Sequence, residues 1–129
     1  MAHVTELRVA LTVADFDQAV AFYRDALGLE QLADWSGDDG RVILLSAGRA
    51  TLELFDHAQA EKVDVIEVGR RVSGVVRLAL EVADSDETAR QLIRAGAEEV
   101  GPPVVTPWGD RNARVQAPDG MQLTLFTTV

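Results

Sequence analysis

The sequence predicts an α+β fold, one domain built from two tandem βαβββ modules. Three observations predict it. RVALTVADFD at residues 8–17 returns as RLALEVADSD at 77–86, identical at seven of ten positions with an offset of 69. Each copy runs on into a helical stretch, QAVAFYRDALG from Gln18 and ETARQLIRAG from Glu87. Each then closes on a matching strand, TLELF at 51–55 and QLTLF at 122–126. Self-similarity in this order marks a duplicated structural unit of about 55 residues.

The elements follow in order. Leu7, Val9, Leu11 and Val13 alternate with Arg8, Ala10 and Thr12, the period of a half-buried strand. Asp15 is placed to cap a helix, Ala19, Phe22, Tyr23, Ala26 and Leu27 fall at helical spacing with Phe22 and Tyr23 expected in its core, and Gly28 stands where the helix should stop. Strands are expected near 30–36, 41–47 and 51–55, broken by Ser36-Gly37-Asp38-Asp39-Gly40 and by Gly48-Arg49. The second unit repeats the pattern. A strand is expected at 76–82, a helix from about 85 to 95 capped by Asp84 and stopped by Gly96, and strands near 98–106, 111–116 and 121–127, with Pro118-Asp119-Gly120 turning the last hairpin. The domain, 1–129, thus divides into a module at 1–58, a module at 75–129, and a polar linker at 59–74 whose short apolar segment is Val63 to Val68.

Composition narrows the function classes. A chain of 129 residues with 47% apolar content fits one soluble globular core. No apolar run approaches the roughly 18 residues of a membrane span, and the N-terminus lacks the order of a signal peptide, so a cytoplasmic protein is expected. With no cysteine, disulfides, thiol nucleophiles and cysteine metal sites are excluded. A net charge of −9 argues against a nucleic-acid partner, because phosphate binding needs a basic face.

Alternation also sorts side chains between the two faces of the sheets. One set is rich in Leu, Val and Ile and suits packing under the helices. The other carries Arg8, Ala10 and Thr12, then Thr51, Glu53 and Phe55, and from the second unit Arg77, Ala79, Glu81, Gln122, Thr124 and Phe126. A mixed polar, charged and aromatic face is what lines a small-molecule cleft.

The segments VALTVADFDQAVAFYRDALGLE, TLELF and PWGDRNARVQAPDGMQLTLF carry a resemblance to the vicinal oxygen chelate superfamily, which includes glyoxalase I, bleomycin-resistance proteins and extradiol dioxygenases. The resemblance spans nearly the whole chain and implies paired modules with sheets curled into a cleft, commonly in a homodimer. The last turn departs from the family's Asp-Pro-Asp-Gly by having Ala117 in first place. In the metal-dependent members the ligands come from the first and last strands of each module, positions that fall here on Arg8, Glu53, Arg77 and Thr124. Arginine offers only donors and cannot ligate, and threonine is a poor ligand. No metal and no cofactor are therefore expected, and His3 and His57 lie off these positions.

Several readings of the candidate residues stay open. Glu53 is a candidate catalytic acid or base, a ligand acceptor, or the ion-pair partner of Arg8; two arginines on its face favour an ionised carboxylate of low pKa. Arg8 and Arg77 either pair with Glu53 and Glu81 or anchor a ligand carboxylate or phosphate. Trp35 and Trp108 hold matching places before turns, suited to stacking a flat ligand at a cleft mouth, where stacking contributes about 0.5–1.5 kcal/mol beyond burial; capping a small core or a dimer contact is the alternative. The expected ligand-binding set is Arg8, Thr12, Trp35, Glu53, Phe55, Arg77, Glu81, Trp108, Thr124 and Phe126. The expected function is a metal-independent small-molecule-binding protein that sequesters an organic ligand or antibiotic. Two alternatives stand beside it: a metal-independent lyase or isomerase using Glu53 as acid or base, and a non-catalytic interaction module.

Overall fold

A computed structural model describes residues 2–129. Eight strands form one curved sheet in the order β2-β3-β4-β1-β5-β8-β7-β6. The first module supplies β1 (Glu6–Thr12), β2 (Gln31–Asp34), β3 (Val42–Ala47) and β4 (Ala50–Phe55); the second supplies β5 (Val76–Glu81), β6 (Glu98–Val105), β7 (Asp110–Gln116) and β8 (Gln122–Thr128). Within each module the first strand pairs in parallel with the last, β1 with β4 and β5 with β8.

The modules join within the chain through antiparallel pairing of β1 with β5. Its register pairs Arg8 with Ala79 and Ala10 with Arg77. Each arginine thus faces the small residue of the other copy, as a two-fold relation between duplicated strands requires. The two alanines leave room for two long guanidinium side chains at the centre of the sheet.

One side of the sheet is covered by helix α1 (Phe16–Val20), which runs into a π-helical turn at Ala21–Ala26, and by helix α3 (Ser85–Arg94). Asp15 and Asp84 cap them, accepting from Gln18 N and Glu87 N, both at 3.0 Å. Phe16 and Val20 of α1 pack on Ile43, Leu45 and Leu54; Ala89 of α3 packs with Val82 on Ala113, Val115 and Leu125. These are the alternating apolar positions whose burial holds each helix to its half-sheet. Tyr23 packs against the first cluster, but Phe22 is 59% exposed and does not join the core as helical spacing predicts. The helix widens at Ala21, and a π turn changes the angular phase of the residues after it.

The segment 59–74, expected as a linker, is largely a helix. Helix α2 (His57–Val68) is capped by Asp56, which accepts from Gln59 N at 2.8 Å, and ends on Gly69 in the left-handed conformation, φ 87°. It lies across the concave face and seals part of it, with Ala60 and Val63 packed on Ala10, Val42 and Phe55. Two glycines let it come close. A Cβ on Gly40 would stand 2.6 Å from Gln59 Cα, and one on Gly101 would stand 2.4 Å from the Glu67 carbonyl oxygen. Among the described residues no helix is long and apolar enough to cross a membrane.

Candidate functional site

Between α2 and the concave face lies a cavity of about 260 Å³, near the lower end of the roughly 300–1,000 Å³ usual for ligand pockets. Of the residues expected to bind ligand, Arg8, Trp35, Glu53, Phe55, Arg77, Trp108, Thr124 and Phe126 line it. Thr12 does not; it sits in a separate crevice of about 10 Å³ beside Asp64 and Ser73. Glu81 is also away from the cavity, accepting from Thr5 Oγ1 at 2.7 Å.

Strand register sets the chemistry. Glu53 on β4, Ala10 on β1 and Arg77 on β5 form one row across the sheet. Glu53 is only 7% exposed and accepts no hydrogen bond among the described residues. Burial raises its pKa, and the opposing charges of Arg77 and Arg8 do not reverse that; Glu6 and Glu67 push in the same direction as burial. The expectation of a low-pKa carboxylate paired with Arg8 is therefore corrected. Arg8 gives its hydrogen bonds to Glu6 instead, Nε to Oε2 at 2.8 Å and Nη2 to Oε1 at 3.2 Å, with Thr51 Oγ1 donating to the same carboxylate at 2.8 Å. Its guanidinium lies over Phe126 at 4.6 Å and Trp35 at 5.5 Å, which fixes its plane.

Arg77 is 6% exposed and packs over Phe55 at 5.6 Å. Its hydrogen bond goes from Nη1 to Thr124 Oγ1 at 2.8 Å, and it has no ion-pair partner among the described residues. The pairing of Arg77 with Glu81 suggested by the repeat does not form. Burial and the nearby Arg114 guanidinium lower the Arg77 pKa, against the raising effect of Glu67, Glu53 and Asp64.

Beneath this row lies a polar cluster that no motif announced. Arg114 is 1% exposed. Its Nη1 lies 3.0 Å from Asp64 Oδ1 and donates to Ser73 Oγ at 2.9 Å, and its Nε reaches Glu67 Oε1 and Thr124 Oγ1, both at 3.2 Å. Its Nη2 is 3.1 Å from Glu67 Oε1 but out of line for a hydrogen bond. Thr124 Oγ1 donates to Glu67 at 2.9 Å, and Asn112 Nδ2 donates to the other Glu67 oxygen at 3.0 Å. The cluster bolts α2 to β7 and β8 and fixes Thr124, hence Arg77. Two acceptors, Asn112 Oδ1 and Gln59 Oε1, remain buried without a donor, on residues that line the cavity. Asp110, also in the lining, has its pKa raised by burial against the charge of Arg8.

The four positions matching the family's metal ligands do meet at one cavity. Their chemistry does not fit a divalent cation. Two are guanidinium groups, and the Thr124 hydroxyl is enclosed by Arg77, Arg114 and Glu67. Glu53 is left as a single carboxylate. No group of three or more His, Cys, Asp or Glu side chains is gathered for a metal among the described residues, and His57 is exposed at the start of α2.

The site residues missed in the sequence are of two kinds. Asp110, Asn112 and Arg114 on β7 follow the same period-two rule that identified the other strands. Gln59, Val63 and Glu67 come from α2, whose inward face is mixed polar and small; only the Asp56 cap and Gly69 stop hint at it.

Three comparisons bear on this geometry. The sequence profile of the Glyoxalase/Bleomycin resistance protein/Dioxygenase superfamily matches residues 2–125. A 2-epi-5-epi-valiolone epimerase from Actinomyces sp is 33% identical over 140 aligned residues, covering 92% of this chain and 76% of the epimerase. Methylmalonyl-CoA epimerase from Mycobacterium tuberculosis superposes with a TM-score of 0.69 at 25% identity, over 98% of this chain and 89% of that one. A hypothetical protein from Bacillus halodurans C-125 reaches 0.72 at 15% identity over 99% and 95% of the two chains, a likeness of fold.

Proposed function

The chain belongs to the glyoxalase/bleomycin resistance protein/dioxygenase superfamily, and on that premise we propose that it is an isomerase-type enzyme that moves a proton at a carbon of a small polar metabolite, with Glu53 as the acid and base. One observation carries the reading. Glu53 is a buried carboxyl that faces a cavity, takes no hydrogen bond among the described residues, and has its pKa raised by burial. A carboxylate held for structure is hydrogen-bonded or paired; one held to exchange a proton with a ligand is tuned toward its working pH. The two relatives named as epimerases support the same reading over that of a ligand-sequestering protein.

The substrate's chemistry is constrained by the lining. Asn112 Oδ1 and Gln59 Oε1 call for donors, so the substrate carries hydroxyl or amine groups. The cavity volume of about 260 Å³ suits a small metabolite, or the reacting portion of a larger one with the rest outside. Trp35 and Trp108, 48% and 44% exposed, border the opening and supply apolar faces there. Those tryptophans are also the ground for a second reading, in which the cleft holds a ligand without changing it. A homodimer, common in the family, is part of the proposal.

Exchange of carbon-bound hydrogen separates the readings. The protein is incubated in D₂O with 2-epi-5-epi-valiolone and with methylmalonyl-CoA, and deuterium uptake is followed by NMR. Uptake that Glu53→Gln lowers by a factor of roughly 10²–10⁴ supports the isomerase. Stoichiometric binding of either compound without uptake supports the holding protein.

A further inference from the structure

Glu53 cannot complete such a reaction alone. Removing a proton from carbon leaves an electron pair that must settle on a neighbouring carbonyl oxygen, and that charge needs an electrophilic partner inside the cavity. In the metal-dependent members of the family a cation meets this need at the positions that are here Arg8, Glu53, Arg77 and Thr124. Those residues do not form a metal site, so the requirement falls on another group.

Four observations single out one group. Arg77 stands in the same row as Glu53, with only Ala10 between them. It lines the cavity and is 6% exposed. It has no ion-pair partner among the described residues, and its hydrogen bond to Thr124 uses Nη1, leaving Nε and Nη2 as further donors. Its position is braced, since Thr124 is itself held by Arg114 and Glu67 and the guanidinium packs on Phe55. Arg8 and Lys62 also line the cavity, but both are paired, Lys62 with Asp39 at 3.0 Å. Arg8 is bound to Glu6 by Nε and Nη2 and lies between two aromatic rings.

Resting on the isomerase reading above, we propose that Arg77 is the electrophile of the reaction, a guanidinium that takes the part of the family's metal ion. A substrate carbonyl oxygen accepts from Arg77 while the adjacent C–H points toward Glu53. The C–H bond breaks, the proton passes to the Glu53 carboxylate, and the electron pair moves to the oxygen, giving an enolate held by Arg77. A proton from water at the open mouth returns to the other face of the carbon as the oxygen regains its carbonyl bond, and the hydroxide left behind is neutralised by the proton that Glu53 releases to solvent. No redox partner is consumed.

The test uses the same D₂O exchange with 2-epi-5-epi-valiolone and methylmalonyl-CoA, run with and without EDTA, on wild type, Arg77→Lys and Arg77→Ala. Wild-type exchange unaffected by EDTA is expected. Arg77→Lys should lose on the order of 10²-fold in kcat, the scale of removing one preorganised donor to a developing oxyanion. Arg77→Ala should lose more and regain activity when guanidinium ion is added, a rescue that a purely structural arginine would not show. Circular dichroism of each variant establishes that it is folded, and the lysine variant retains the charge where the alanine variant does not fold. Arg77→Lys at wild-type rate, or wild-type exchange abolished by EDTA and restored by Co²⁺ or Zn²⁺, overturns the assignment while leaving Glu53 as the base. A stoichiometric Zn²⁺ or Co²⁺ adduct in native mass spectra also overturns it. Wild-type protein that exchanges neither compound overturns the isomerase reading and this one with it.

Discussion

Glu53 and Arg77 flank Ala10 in one row of strands β4, β1 and β5, and they are neither hydrogen-bonded nor ion-paired to each other. Adjacent strands lie about 4.8 Å apart, so the two backbones are separated by roughly 10 Å. Ala10 between them is covered by Ala60 and Val63 of α2, and the carboxyl and the guanidinium both line the cavity beside that contact. Their charges still attract, but without direct pairing that attraction does not offset the desolvation of Glu53. An arrangement serving stability alone would close the gap, as Arg114 does with Asp64 and Glu67 one layer below.

The stability consequence of Glu53 has a definite sign. A carboxyl whose folded pKa is raised favours the folded state while protonated and loses that advantage as pH rises from the ordinary carboxyl range through the raised value. Glu53→Gln removes the penalty. The variant should therefore be more stable than wild type at pH 7, with the difference shrinking toward pH 4, as read by urea unfolding at both pH values. A variant less stable at pH 7 contradicts the unpaired, desolvated carboxyl.

The rate should follow the same group. With Glu53 as base, kcat/KM rises with pH through a carboxyl pKa above the usual range. The charged groups acting on Glu53 are Arg77, Arg8, Glu6 and Glu67. Arg8→Met removes one lowering influence and frees Glu6, which raises the Glu53 pKa. The ascending limb of the pH profile should shift to higher pH in that variant, while a shift to lower pH counts against Glu53 as the titrating base.

The buried cluster should dominate stability. Arg114→Met leaves Asp64 and Glu67 without their shared cation, a loss of about 3–5 kcal/mol for a broken buried pair. Asp64 titrates in the opposite sense to Glu53. Burial raises its pKa, but hydrogen bonds from Ser73, Val72 and Arg71 outweigh burial and hold it well below the usual carboxylate range. Its contribution is present above the unfolded value, near 3.9, and is lost as pH falls through the lower folded value. The gap in unfolding free energy between wild type and Asp64→Asn should be wide at pH 7 and close below pH 4. A gap that stays constant with pH rules out this linkage.

How much of this was legible in the sequence depends on the kind of signal. The duplication at 8–17 and 77–86 and the period-two alternation located the strands, both conserved-spacing caps at Asp15 and Asp84, and eight of the residues lining the cavity. It did not reveal α2, because the buried face of that helix is Gln59, Ala60, Val63, Asp64 and Glu67 while Val65 is 51% exposed. An amphipathic search looks for the reverse. Nor could it predict the Glu53 pKa, since the burial that raises it outweighs Arg77 and Arg8, and Arg8 gives its hydrogen bonds to Glu6, two residues away on the same strand. Pairing along a strand face and pairing across strands look alike until the side chains are placed.

Helix α2 offers a last prediction, because it forms one wall of the cavity and two glycines determine its seat. A Cβ at position 101 would lie 2.4 Å from the Glu67 carbonyl oxygen and 3.2 Å from Val68 Cα. Both are backbone atoms, which cannot rotate aside, so Gly101→Ala must lift the C-terminal end of the helix. The lift strains the bonds from Glu67 to Asn112, Thr124 and Arg114 and widens the cavity near Arg77. Overpacking of this kind costs about 1–3 kcal/mol, measurable by chemical denaturation. Gly74 serves as the control, since nothing lies within 4 Å of a Cβ placed there, and Gly74→Ala should change stability by no more than about 0.5 kcal/mol. If Gly101→Ala is as benign as Gly74→Ala, α2 is not seated as described, and the wall it provides behind Arg77 is not fixed.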